Sequence, residues 1–101
     1  MTRKGYASEL RAKEELIKEF GSDNVIKVAI GGAQDFIIVQ KGKLLKVVEV
    51  KECHQKKYYP QPREKGQRVR MIAFCLEHGA SLEIWIRYPQ RQEWSKEVVL
   101  L

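Results

Sequence analysis

From Tyr6 to Phe20, apolar residues recur at the spacing of a helical turn: Ala7, Leu10, Leu16, Ile17 and Phe20. The pattern predicts a helix, and Gly21-Ser22-Asp23-Asn24 stops it. "VIKVAI", Val25 to Ile30, is short and β-branched and reads as a strand, broken by Gly31-Gly32. Asp35 to Gln40 and Leu44 to Lys51 are two further apolar runs, predicted to form a hairpin around Lys41-Gly42-Lys43. A polar and aromatic loop with two prolines follows, Glu52 to Pro62. Arg63 to His78 reads as a second helix, with Val69, Ile72, Ala73 and Leu76 on one expected core face and Gly79 as its stop. Ser81 to Tyr88 and Glu93 to Leu100 read as two last strands around "PQRQ". The order α-β-β-β-α-β-β predicts an α/β fold, a mixed sheet of about five strands flanked by helices in a single domain, residues 1–101.

The central hairpin carries charges that a hairpin does not need. Side chains alternate across a strand, so Glu49 and Lys51 share one face while Val48 and Val50 point the other way. With a three-residue loop, Gln40 pairs with Leu44, and Asp35 falls directly opposite Glu49 at ~5 Å between Cβ atoms. A two-residue loop would put Asp35 on the other face, since one step of slip inverts every side chain. Two carboxylates so close are unfavourable unless a cation lies between them, and a divalent metal with oxygen ligands supplies one. Lys51 beside them is placed to orient a water and offset negative charge. Glu9 lies about 20° from Leu16 around the first helix, on the apolar stripe, and a carboxylate there needs a partner. An exposed Glu–Lys pair on a hairpin and a stripe-edge glutamate are the plain structural alternatives.

Composition narrows the setting. The 101 residues carry a formal net charge of +6, with 44% hydrophobic and 32% charged residues. That is enough apolar content for one small core, and the basic excess favours a polyanionic partner such as nucleic acid, although a solvated basic surface would look alike. Two cysteines, Cys53 and Cys75, form no disulfide framework and stand at no zinc spacing. Both are expected to be reduced, which implies a cytoplasmic protein. No run approaches ~20 apolar residues, so no membrane span is expected, and the N-terminus lacks the apolar run of a secretory signal.

The segments "RKGYASE" (Arg3 to Glu9), "QDFIIVQKGKLLKVVEVK" (Gln34 to Lys51) and "YYPQPREKGQRVRMIAFCLEHGA" (Tyr58 to Ala80) together resemble the PD-(D/E)xK nuclease superfamily, and within it the archaeal Holliday junction resolvases. They are similar, in order, to a basic-Gly-x-x-x-Glu opening of the first helix, a D…ExK hairpin, and a basic segment leading into an apolar helix. The resemblance runs from Arg3 to about Tyr88. It implies a restriction-endonuclease-like fold and a metal-dependent endonuclease that cuts branched or four-way-junction DNA as a homodimer. It further implies that Asp35 and Glu49 ligate Mg²⁺ or Mn²⁺, that Glu9 completes the metal shell, and that Lys51 positions the attacking water. The sequence departs from the family before the metal aspartate. The family has an Arg-Ser…Ser pattern there; this chain has "KVAIGGAQD", with Lys27 in place of the arginine and Gly31 where the second serine would stand.

The basic residues are placed to meet phosphates. Arg3, Lys4 and Arg11 flank the first helix, Lys27 precedes the glycines, and Lys56, Lys57, Arg63, Lys65, Arg68 and Arg70 crowd the loop and second helix. Gly31 and Gly32 would let backbone N–H groups approach a phosphate closely. Tyr58 and Tyr59 lie among the cations, where aromatics stack on exposed bases. A non-catalytic nucleic-acid-binding module of the same fold, or a nuclease for another DNA or RNA structure, would share these features.

Overall fold

A computed structural model describes residues 6–28 and 34–101. Helix α1 spans Tyr6–Phe20, a single 3₁₀ turn Ser22–Asn24, strand β1 Val25–Val28, β2 Gln34–Gln40, β3 Lys43–Glu52, helix α2 Pro62–His78, β4 Ser81–Tyr88 and β5 Glu93–Leu100. The strands form one five-stranded sheet in chain order, β1-β2-β3-β4-β5. All neighbours are antiparallel except β3 and β4, which are parallel and joined through α2. A parallel pair needs a crossover of this kind, whereas the antiparallel pairs close through turns or short loops. The sheet is therefore mixed and the fold α/β, as the apolar pattern predicts. Residues 29 and 30, expected to extend β1, and the glycines that follow lie outside the described residues.

The helices cover opposite faces. Val48 and Val50 pack with Ala12 and Leu16 of α1, with Phe36, Ile38 and Trp85 around them. Val47, one residue out of phase, packs with Met71 and Cys75 of α2 and with Leu82. Both cysteines are buried free thiols.

Helix α1 turns the expected face to the sheet in its second half and α2 does not. In α1 Leu16 is buried and Ile17 and Phe20 pack against the same cluster, with Ser8, Glu9 and Ala12 also buried, while Ala7 and Leu10 near the N-terminus are exposed. The N-terminal turn carries polar contacts instead: the Ser8 hydroxyl donates to Glu52 at 2.5 Å, and Glu9 pairs with Lys27. In α2 the buried residues are Gln67, Met71 and Cys75. The stripe expected to form the core points outward instead, with Val69 and Leu76 66% and 64% exposed. Helix α2 has apolar residues on two sides, and periodicity alone cannot say which side meets the sheet.

The β2–β3 turn also differs from expectation. It contains two residues, Lys41 and Gly42, both with positive φ (52° and 76°), so that Gln40 pairs with Lys43. Such a turn matches the twist of the flanking strands. The extra residue appears inside the strand instead. Val39 pairs with Leu44 but Ile38 pairs with Lys46, leaving Leu45 as a bulge. From Ile38 inward the register equals that of the expected three-residue loop.

Candidate active site

Asp35 and Glu49 are direct partners across β2 and β3. The Leu45 bulge is what brings them face to face, because a two-residue turn without it would have placed Val48 opposite Asp35. Both carboxylates are buried, at 0% and 2% exposure. They lie on the α2 face, in phase with Val47. The Asp35 carboxylate lies close enough to Cys75 that, after burial itself, it is the second cause pushing that thiol's pKa upward.

Lys51, two residues beyond Glu49 on the same face, brings its Nζ to 3.1 Å from Glu49 Oε1. The other oxygen, Glu49 Oε2, is buried and has no hydrogen-bond partner among the described residues. A buried carboxylate oxygen without a partner is costly, and it marks a position that a cation can satisfy. Two buried carboxylates side by side are a donor set of the kind hard divalent cations take.

Two residues that the sequence pattern did not single out for this site complete it. Glu64, in the first turn of α2, places Oε1 3.8 Å from Lys51 Nζ. Its Oε2 accepts hydrogen bonds from the Tyr58 hydroxyl at 2.6 Å and from the Gln61 backbone N–H at 3.0 Å. Burial opposes ionisation of Glu64, but those two bonds and the nearby Lys51 and Arg63 outweigh it and hold the carboxyl below its ordinary range. The Tyr58 phenol is pushed well above its ordinary value, first by burial, then by its bond to Glu64 and the charges of Glu64 and Glu49. Tyr58, Glu64, Lys51 and Glu49 thus form one continuous polar chain. The available signal was local: Pro62 at the helix start with an acid two residues on is a helix-opening pattern, and an N3 glutamate turns back toward the preceding loop.

Glu9 is elsewhere. It is 6% exposed, as its place on the stripe requires, but its partner Lys27 pairs with Phe36 on the α1 face of the sheet. Among the described residues no group of three or more His, Cys, Asp or Glu side chains is clustered so as to hold a metal. The carboxylates brought together across the hairpin are Asp35 and Glu49. On the α1 face a second polar chain links Ser8, Glu52 and His54, whose Nε2 is 2.9 Å from Glu52 Oε2.

The basic residues divide. Arg11, Lys56, Lys57, Arg63, Lys65 and Arg70 are exposed and Arg68 half-buried, whereas Lys27 is engaged by Glu9. Arg3, Lys4, Gly31 and Gly32 lie outside the described residues. The loop bearing Lys56 and Lys57 is tied to the β4–β5 turn: Arg91 donates to the Lys56 carbonyl at 3.0 Å while stacking on Tyr88, and Gln90 donates to the His54 carbonyl at 3.1 Å. Tyr59 is 67% exposed with the Lys57 ammonium over its ring. A cleft of about 290 Å³ runs beneath this loop, lined by Glu52, His54, Tyr58, Tyr59 and Glu64 among others.

No protein-family model and no curated protein matches the sequence. Among solved structures, the crystal structure of a protein named SSO0001 superimposes with a TM-score of 0.53 at 19% identity, covering 96% of this chain. The chain spans 52% of the length of that structure. At this identity the likeness concerns the fold alone.

Proposed function

We propose that the protein is a metal-dependent endonuclease that hydrolyses phosphodiester bonds in DNA, with branched or four-way-junction DNA as its substrate. One observation carries this reading: Asp35 and Glu49 are buried face to face, and the Glu49 oxygen not held by Lys51 has no partner among the described residues. Asp35 and Glu49 would hold Mg²⁺ or Mn²⁺. When bound, such an ion neutralises charge at the scissile phosphate and acidifies water. Lys51 keeps Glu49 oriented and presents an ammonium where negative charge develops. Glu64 holds Lys51 from the other side, so the ammonium is positioned between two carboxylates. Lys56, Lys57, Arg63 and Lys65 supply phosphate contacts beside the site. Cutting two strands of a junction symmetrically calls for two copies of the chain.

A second reading, a binding module without catalysis, is favoured by the place of Glu9 on the opposite face of the sheet from Asp35. Cleavage assays on junction, flap, nicked and linear DNA with Mg²⁺ or Mn²⁺ separate the two. The parent is expected to cut a branched substrate. Lys51→Ala is expected to lose about 100-fold or more in cleavage rate while DNA affinity stays within a few-fold. Calorimetric titration with Mn²⁺ should show binding that Glu49→Gln removes. DNA binding without cleavage of any substrate in either metal would establish the second reading.

A further inference from the structure

On the α1 face of the sheet, opposite Asp35 and Glu49, a cation is buried without a carboxylate partner. Arg87 of β4 is 9% exposed. Its register partner on β3 is Glu52, and on β5 it is Trp94. Arg87 and Glu52 form no ion pair. The Glu52 carboxylate instead receives the Ser8 hydroxyl at 2.5 Å on one oxygen and faces His54 Nε2 at 2.9 Å with the other. What Arg87 meets is a ring, with its guanidinium carbon 5.2 Å from the centroid of Trp94. An aromatic face offsets charge, but it takes up none of the five N–H bonds a guanidinium can donate. Among the described residues, no acceptor meets them.

Other cations of this chain that stack on rings are not left so. Lys46 over Phe20, Arg91 over Tyr88 and Lys96 over Trp85 each also hold a glutamate, respectively Glu83, Glu93 and Glu15. The two tryptophans differ in the same way. The Trp85 indole N–H donates to Glu83 at 3.0 Å, whereas that of half-buried Trp94 has no acceptor among the described residues. Two donor groups in contact thus both lack an acceptor. A guanidinium fork takes two oxygens of an oxyanion side by side. A carboxylate would be used up by the fork, and the indole N–H calls for a further oxygen, which a phosphate has.

We propose that Arg87 and Trp94 form a binding site for a phosphate group on the α1 face of the sheet, separate from the paired carboxylates on the α2 face. The inference rests on these two donors and not on the nuclease reading. The free ion and the terminal phosphate of an oligonucleotide offer the same chemistry, and the test separates them.

Proton–nitrogen NMR of the full chain, titrated with inorganic phosphate to about 50 mM at constant ionic strength, reads the two indole N–H signals apart. The Trp94 signal and the Arg87 Nε–H should shift saturably, with a dissociation constant of about 1–10 mM. The Trp85 signal, held by Glu83, should stay. Arg87→Lys keeps the charge but loses the fork, and should weaken binding at least tenfold. Glu52→Gln removes a like charge beside the ligand and should tighten binding about threefold or more, a gain that a variant damaged in folding would not give. A Trp94 shift with a 5′-phosphorylated strand and not with its 5′-hydroxyl counterpart identifies a terminal phosphate. A shift with inorganic phosphate and with neither strand identifies the free ion. The proposal is overturned by a Trp94 signal that neither inorganic phosphate nor the phosphorylated strand moves, by one that moves only together with Trp85, or by binding that is the same in the parent and both variants.

Discussion

Glu64 shows how one side chain can serve fold and site together. Its carboxylate accepts from the Gln61 backbone N–H at the opening of α2, receives the Tyr58 hydroxyl and faces Lys51. Replacing it with glutamine keeps an acceptor but removes the charge. The variant is expected to lose about 1–2 kcal/mol of stability near neutral pH. Because the folded state holds the Glu64 pKa below its unfolded value, the charge-dependent part of that contribution is present above the unfolded pKa and lost as pH falls through the folded one. Urea unfolding of parent and Glu64→Gln from pH 7 downward should therefore converge on acidification below about pH 4. The residues Asp35, Glu49 and Lys51 were legible in the sequence, because strand alternation fixes which side chains share a face. Tyr58 and Glu64 were not legible as parts of the site. They reach it from a loop and a helix start, and only the docking of α2 on the sheet brings those to Lys51.

At the level of elements, the boundaries of β4 and β5, the extent of α1 and most of its buried face follow from the sequence, while the face of α2 does not. Apolar periodicity counts residues per turn; it does not record which stripe the sheet selects. In α1 Ala12 and Leu16 are fully buried against Val48 and Val50, and Ser8 and Glu9 add polar contacts to Glu52 and Lys27 at the N-terminal turn. In α2 the selection follows Met71 and Cys75, fully buried against Val47 and Leu82. In the hairpin the sequence predicts the opposition of Asp35 and Glu49 but not the two-residue turn. Either the turn or the strand must hold one residue beyond the paired ones, and the chain places it in the strand at Leu45. Deleting Leu45 should leave every other pairing of β2 with β3 intact. The deletion variant is expected to fold, with a stability change of no more than about 1–2 kcal/mol, and nuclear Overhauser contacts between residues 35 and 49 should persist. Deleting Val47 in its place should destabilise the protein far more, since the Asp35–Glu49 register is then kept only by pairing out the bulge, which puts Lys46 in the buried position of Val47.

For the whole molecule, net charge and sheet topology act together. The formal charge is +6, the 53–61 loop and the start of α2 carry exposed cations, and Arg63 among them lies near Glu64, which faces Lys51. If DNA is the partner, affinity should fall steeply with salt, because each phosphate neutralised releases counterions. Neutralising Arg63, Lys65 and Arg68 together should reduce the slope of log K against log salt by about 2–3, read by fluorescence anisotropy on a junction substrate. An unchanged slope would place the DNA on another surface. Among the described residues, no helix is long and apolar enough to cross a membrane. The acids of the site stand on β2 and β3, whereas Glu64 and most of the nearby cations belong to the single parallel crossover that joins β3 to β4.

The Leu45 bulge also bears on how such sites can be recognised in other chains. Here the acids stand in the arrangement D-x13-ExK. The same opposition would arise at D-x12-ExK from the same two-residue turn with no bulge, or at D-x13 from a three-residue turn. Spacing along the chain is therefore a poor ruler for this pair. What is invariant is the count of paired residues between each acid and the turn, and unpaired residues can be gained or lost without moving either carboxylate. A pattern written with a fixed gap would miss proteins whose two acids meet in the same way, and would accept others in which one acid faces the opposite side of the sheet.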